Sequence, residues 1–586
     1  MKGLFRKSSV GGTYAILLGI LAWGCCCACV SCGRNNAILL QPPVDIPDGP
    51  VVSVNPDSVI EPDDGATIVG HVTSEDGKAV RDVAVSDGHI VVLTDEKGEY
   101  RMKSDKSTGY VFVSIPGGYT VKTDGSVPRF YSFTTQKAGE CETHDFSLVP
   151  VDDTSYAVII HADQHLAGRT EDVAQFRGGF IPDVNGTINR YRAMGRRVYS
   201  ISLGDISWEQ FWYANNFTLS DAARCFDSID CPVFHAIGNH DNDPYISDDW
   251  RSAWLFRERL APTYYSFNIG HVHYVILDNV VYNNQGASAG TMGDRGYDRA
   301  LTRSQLEWLA EDLATLPDKS TPLVVCAHVP FYKEPTLSGQ TQVTRRNMID
   351  MEELEALLSG LTDVTLFSGH YHRNFTVDSP FIKGCKERNV ASVSGSLWWT
   401  GRSGYAGNHL CTDGSPGGYG VLEVDGTQLR YHYKGIGYEP DRQFRIYDLN
   451  EVVIDRNSVT NPKYKDKVVE YADAYAKSVK DNEVLINVFA WSPGWQIEVT
   501  ENGNPLEVTR VKAKDPLHIL SYECQRLSHG ALPTTTSTLM TQYSTHFFKA
   551  KASASNTSLR VTVTDEYGRR YIQTVSRPVK FHVSMR

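Results

Sequence analysis

Five short polar motifs occur in order between residues 163 and 372: Asp163-Gln164-His165, Gly204-Asp205, Gly238-Asn239-His240-Asp241, His328 and Gly369-His370-Tyr371-His372. Carboxylates, neutral imidazoles and a lone amide oxygen are the donors that two adjacent divalent cations require, with one carboxylate bridging them. Such a pair lowers the pKa of a shared water and clamps the oxygens of a phosphoryl group. Asp163 and His165 stand two apart and can turn toward one ion. Asp205 suits the bridge, because Gly204 before it lets the backbone come close. Asn239 offers a carbonyl oxygen without adding charge, and His328, His370 and His372 complete the two shells. None of these donors is sulfur, a set that suits Mn, Fe, Zn or Co without choosing among them.

Each motif trails a short apolar run: YAVII, VYSISL, VFHAI, PLVVC and VTLFS. Runs of that length read as buried parallel strands, and open α/β sheets bind ligands at the carboxyl ends of their strands. Five strand ends can therefore bring five motifs to one crevice. Order and placement carry this reading, since each fragment alone is weak. Gly270-His271-Val272-His273 repeats the last pattern, yet it lies inside YYSFNIGHVHYVILDN, which reads as an antiparallel hairpin, so its histidines are expected to be structural. Between the strands, LTRSQLEWLAEDLATL and MEELEALLSGL carry apolar residues at three-and-four spacing, with Thr302 placed to cap the first helix.

This α/β core is expected over residues 151–440. Residues 66–150 hold short alternating runs between turn signals, the pattern of a small all-β sandwich, with glycine supplying positive φ in the SDG and DEKGEY turns. Alternation returns over residues 441–586 and predicts a second β-sandwich. Residues 37–65, rich in Pro, Asp and Val, read as a tether. The first 36 residues join a basic start (Lys2, Arg6, Lys7) to an apolar stretch and then to Cys25, Cys26, Cys27, Cys29 and Cys32. That is an export signal with the small-residue-before-cysteine pattern of a bacterial lipoprotein, or else an uncleaved anchor. Either reading predicts an exported protein tethered to the membrane of the bacterial cell envelope. The other seven cysteines lack paired spacing and are expected to be buried free thiols.

The five motifs, in this order, resemble those of the calcineurin-like metallophosphoesterase superfamily, and the resemblance covers the α/β core. It implies a metallophosphoesterase-type αββα sandwich, here flanked by the two small all-β sandwiches, and hydrolysis of phosphoester bonds. It also implies Asp163, His165 and His372 on one metal, Asn239, His328 and His370 on the other, and Asp205 shared. His240 would be the general acid for the leaving oxygen, with Asp241 holding it in its protonated tautomer. Purple acid phosphatases carry a metal-binding tyrosine three residues after the Gly-Asp aspartate. Here that slot holds Trp208, which argues against an iron–tyrosinate centre. The runs SGSLWWTG (from Ser394) and TDGSPGGYGVLEVDG (from Thr412) resemble exported bacterial phosphoesterases with a β-sandwich on each side of the core.

A net charge of −12 argues against a nucleic-acid polymer as partner. Small anionic substrates stay open, because a metal pair supplies local positive charge whatever the net sign. Sugar phosphates, nucleotides and phosphodiesters fit that description. Trp208, Phe211, Trp212, Tyr213, Phe331, Tyr332, Trp398 and Trp399 follow the strands and could stack on a base or sugar, or simply pack between domains. Arg345, Arg346 and Arg402 could hold a second phosphate or lie solvated at the surface. The competing reading is a catalytically silent envelope lipoprotein that binds a glycan, against which stands the completeness of the motif set.

Overall fold

The computed structural model describes residues 60–62 and 65–585. The leader and nearly all of the expected tether lie outside these residues. No helix among the described residues is long and apolar enough to cross a membrane.

The core holds two mixed sheets. The first runs in the order Val233–His235, Arg197–Ser202, Ser155–His161, Gly418–Asp425, Gln428–Gly435. Its first three strands are parallel, and the last two close the sheet as an antiparallel pair. The second runs Tyr265–Ile269, Val272–Ile276, Leu323–Cys326, Val364–Ser368, Lys386–Asn389, Phe375–Asp378. Its four inner strands are parallel and its two edges antiparallel. All five apolar runs preceding the motifs are strands, three in one sheet and two in the other.

The sheets meet through large side chains, as buried runs on both faces of parallel strands demand. The Tyr156 hydroxyl lies 3.0 Å from that of Tyr274. Phe234 stacks on Phe267 at 3.8 Å, and Phe367 meets Tyr431 at 5.6 Å. Helices Ile181–Ala193, Leu219–Phe226, Arg303–Ala314 and Met351–Leu358 accompany the sheets and give the αββα sandwich. Thr302 caps its helix by accepting from the Gln305 amide at 3.3 Å. The Gly-His-Val-His copy lies in the antiparallel pair Tyr265–Ile269 and Val272–Ile276. There His273 is fixed between Asn268 Oδ1 and Asp312 Oδ2, each at 2.9 Å.

On the N-terminal side a five-stranded sheet built around Ile68–Ser74 faces a four-stranded sheet built around Ala84–Ser86 and Tyr110–Val113. Gly88 and Gly98 take positive φ in the two expected turns. Asp95 serves turn chemistry, accepting from the Lys97 and Glu99 amides. Apolar residues of these sheets, such as Val85 and Phe112, run without a break into the core, where Phe112 packs edge-on against Trp308.

C-terminal to the core, Phe444–Asp448, Glu483–Val488, Ser544–Lys551 and Val508–Ala513 form one four-stranded sheet. Gln496–Glu501, Leu559–Thr564, Arg570–Val575 and Asn504–Leu506 form the other, and the two share Ile486, Val488, Val561 and Val563. This region is not purely β. Helices Pro516–Ser521 and Glu523–Ser528 pack with 3-10 turns over a second apolar cluster around Leu517 and Leu527. Among the seven body cysteines, all free, Cys141 is exposed rather than buried.

Candidate metal centre

The loops leaving the first sheet carry Asp163, His165, Asp205 and Asn239, and those leaving the second carry His328, His370 and His372. Five of these seven adopt left-handed backbone: Asp163 (φ 58°), His165 (47°), Asp205 (53°), His370 (68°) and His372 (57°). Each such turn costs a non-glycine residue roughly 1–2 kcal/mol and is held in place from outside. The Asp163 amide donates to Gly204 O at 3.1 Å, and the His165 amide donates to Asp205 O at 2.9 Å. The His370 amide donates to Asp163 Oδ2 at 2.9 Å, tying the two sheets together. Gly204 (φ 93°) has no room for a side chain: a Cβ there would come within 2.6 Å of Gly238 N and 2.9 Å of His328 Nδ1.

The donors converge in two groups. His165 Nε2 lies 2.9 Å from His372 Nε2 and 3.6 Å from Asp205 Oδ2, while His372 Nε2 lies 3.5 Å from Asp163 Oδ1. Ligand atoms of these four residues all fall within 4.8 Å of one another, as do those of Asp205, His328 and His370. Asn239 joins the second group with Oδ1 at 3.1 Å from His328 Nε2. Asp205 belongs to both.

The second group tests whether a cation fits. His328 Nδ1 donates to the Leu203 carbonyl at 2.8 Å, which fixes Nε2 as the inward nitrogen. Around that Nε2 stand Asp205 Oδ2 at 3.2 Å, Asn239 Oδ1 at 3.1 Å and His370 Nδ1 at 3.1 Å. His370 Nε2 is engaged by the Tyr297 hydroxyl at 3.1 Å, so its Nδ1 faces inward. Four electron-pair donors meet there, and one proton can serve only one of the contacts. A divalent cation serves all of them, so the residues fit the group. Burial holds His165, His370 and His372 below the ordinary imidazole pKa, His372 at about 3, and keeps them in the neutral form that ligates. Burial pushes Asp163 up to about 8 against the pull of His328, a cost that positive charge between the carboxylates would remove.

His240 stands beside both groups, its ring 5.2 Å from that of His165. Its side chain keeps 24% of its surface exposed, whereas the candidate ligands are buried except His370, which is half-buried. The residue expected to hold its tautomer, Asp241, does something else. Both Asp241 oxygens are spent on backbone, accepting from the amides of Ser207 (2.9 Å), Gly238 (3.0 Å) and Ile206 (3.3 Å). Its short side chain braces the Asp205 loop against the Asn239 loop and does not reach the ring. The partner of His240 is Glu209, whose Oε2 lies 2.5 Å from Nδ1, while Arg295 holds Glu209 Oε1 at 3.1 Å. Burial alone would favour neutral imidazole, but the Glu209 and Asp205 carboxylates hold the His240 pKa up at about 9.

Glu387 also escapes sequence reasoning. Fully buried, it accepts from the amides of Phe331 (2.9 Å) and Tyr332 (2.8 Å), beyond His328, and from the Ser368 hydroxyl (2.6 Å), before His370. One carboxylate thus fixes two ligand loops. Neither acid had a readable signal: Glu209 sits in an ordinary Ser-Trp-Glu-Gln run, and Glu387 lies in a strand of charged residues.

The aromatic residues divide. Trp212, Phe331, Tyr332 and Trp398 are buried packing, whereas Trp208, Phe211, Tyr213 and Trp399 keep exposed surface. Arg346 is paired with Glu355 at 2.7 Å and also with Glu352, and Arg345 is exposed.

Among curated proteins, the chain is similar to Purple acid phosphatase 15 of Arabidopsis thaliana, 29% identical over 150 residues, or 24% of either chain. It therefore spans about a quarter of that relative's length. Among solved structures it is similar to purple acid phosphatase PPD1 of yellow lupin (Lupinus luteus), with TM-score 0.31 and 14% identity over 48% of this chain and 51% of that one. A 5'-nucleotidase precursor from Thermus thermophilus gives TM-score 0.26 and 14% identity over 48% and 54%. Family models match along most of the chain. The N terminal of Calcineurin-like phosphoesterase matches residues 66–151, Calcineurin-like phosphoesterase matches 157–374, and the C terminal of Calcineurin-like phosphoesterase matches 387–571. The last model begins inside the second core sheet and includes the two strands that complete the first. With three consecutive models covering most of the described residues, and with the donors inside the central one brought into two groups that share Asp205, the chain belongs to the calcineurin-like phosphoesterase family.

Proposed function

We propose that the protein hydrolyses small phosphate esters with a pair of divalent cations and works outside the cytoplasm, tethered to the cell envelope. The observation that carries the chemistry is the meeting of Asp205, Asn239, His328 and His370 donors at one point, with the His328 tautomer fixed by the Leu203 carbonyl. Asp163, His165 and His372 would hold one cation, Asn239, His328 and His370 the other, and Asp205 both. When bound, such a pair supplies Lewis acidity toward phosphoryl oxygens and a water of lowered pKa. Mn, Fe, Zn and Co all suit the nitrogen and oxygen donors.

The protein's own proton donor is His240. Glu209 takes its Nδ1–H, and the raised pKa keeps the ring protonated at neutral pH. Nε2, the nitrogen not engaged by Glu209, then carries the proton for the departing alkoxide. Sugar phosphates, nucleotides and phosphodiesters are the substrate classes this serves. The tether rests on the leader sequence of residues 1–36.

The chain from residue 37, stripped of metal and reloaded with Mn, Fe, Zn or Co, should hydrolyse phenyl phosphate or diphenyl phosphate. His240→Ala should lose that turnover, and the ratio of the two wild-type rates assigns monoester or diester preference. Two bound ions without turnover of either ester would favour the silent ligand-binding protein. Labelled palmitate should be incorporated and then lost in Cys25→Ser or Cys32→Ser; failure to label would remove the lipid tether.

A further inference from the structure

Three arginines at the seam between the α/β core and the C-terminal region lie on aromatic faces instead of carboxylates. Arg169 sits over Trp208 at 4.9 Å and Phe211 at 4.5 Å. Arg402 and Arg526 both lie over Trp399, at 5.1 and 4.6 Å. Among the described residues none of the three has an ion-pair partner within 4 Å, and the Nε of Arg526 is buried without a hydrogen bond. Trp208 and Trp399 both pack against one small cluster of Leu397, Tyr522 and Leu539, which sets the guanidiniums along one seam, with Arg169 and Arg402 close enough to repel. Burial lowers the Arg169 pKa, Asp172 opposes the fall and Arg402 nearby adds to it.

That seam borders the metal centre. The Trp208 ring is 5.6 Å from His165 and 6.0 Å from His240, so one indole separates Arg169 from a ligand and from the proton donor. Grouping like charges at a partly desolvated seam is unfavourable unless something anionic completes it. The carboxylates close by act on Arg169 and Arg402 only through space, while their oxygens accept from backbone: Asp172 from the amides of Ala167 and Arg169, and Glu171 from that of Ser403. They leave the guanidinium hydrogen-bonding edges uncommitted, and two carboxylates face three guanidiniums. Guanidinium forks match phosphate oxygens in pairs, and aromatic faces hold the forks ready at low entropic cost.

We propose that Arg169, Arg402 and Arg526 form a subsite for a second phosphate, so that the preferred substrate is a small ester carrying two phosphate groups. The substrate claim rests on the phosphoesterase reading above; binding at the subsite is measurable without it. On the metal-loaded chain, kcat/KM for fructose 1,6-bisphosphate should exceed that for fructose 6-phosphate at least tenfold. Arg402→Gln/Arg526→Gln should bring that ratio close to one, and Arg169→Gln, on a separate loop, should lower it as well. Arg402→Lys/Arg526→Lys should keep part of it, which a merely structural disturbance of the seam would not. A wild-type ratio near one, or a ratio that survives the glutamine variants, overturns the proposal. If neither sugar phosphate nor phenyl phosphate is hydrolysed, the phosphoesterase reading falls, and calorimetric binding of the same two sugars decides the subsite. Tenfold tighter bisphosphate binding that is lost in the double variant sustains the subsite, and equal binding rejects it.

Discussion

Glu209 takes the role at His240 that the position of Asp241 in the chain invites. Asp241 follows His240 directly, but its short side chain turns back to the amides of residues 206, 207 and 238. Glu209 comes from another loop and reaches the His240 ring with one oxygen while Arg295 holds the other. Glu209→Gln should therefore lower kcat for phenyl phosphate roughly 100-fold, within the range of general-acid catalysis. It should cost much less for p-nitrophenyl phosphate, whose leaving group departs without a proton. Equal losses on the two esters, measured as steady-state rates, would remove Glu209 from proton transfer. The ligand types were legible because a metal pair needs a fixed set of donors. The partner of His240 was not, because a hydrogen bond between loops leaves no periodic trace.

The strands show the same divide between local and distant cause. All five apolar runs became strands because continuous β-branched and aromatic runs suit a sheet buried on both faces. Their division between two sheets was invisible, since pairing is set by partners far along the chain. So were the left-handed turns at five ligands: Asp and His enter that region more readily than most residues but usually lie outside it, so neither marks a turn as glycine does. The Lys386–Asn389 strand carries the least readable element of all, Glu387, which binds the loops after two other strands. Burial raises its pKa to about 7 from the ordinary 4.5. A carboxyl that holds its proton more tightly when folded stabilises most below pH 4.5, and that contribution is lost by the time pH passes 7. Wild-type stability should fall by up to about 3 kcal/mol across this window. Glu387→Gln, less stable at low pH for want of a second acceptor oxygen, should show no such slope in denaturant titrations. Parallel pH profiles for the two proteins would sink the assignment.

At the scale of the molecule, the flanking regions are joined to the core by different means. The N-terminal sheets share its apolar interior broadly, whereas the C-terminal region adds charge to a smaller apolar contact at Phe489 and Ala490: Glu566 receives both Lys386 and Arg388 from the second core sheet. Glu566→Ala leaves the buried Arg388 unpaired and should cost about 3 kcal/mol in chemical denaturation. A loss under about 1 kcal/mol would mean the apolar seam alone holds the two together. Alternation in the sequence announced both β-regions, but it could not announce the helices of the C-terminal one, whose apolar residues pack against 3-10 turns distant in sequence. The division of ligands between the sheets has a kinetic side. Asp163, His165, Asp205 and Asn239 ride on one sheet and His328, His370 and His372 on the other, so an ion held by both behaves as a rivet through two plates. Its release would be fastest when the plates part. Metal release into excess chelator, followed by absorbance of the chelate, should therefore be slow and should accelerate with denaturant in step with the global unfolding rate.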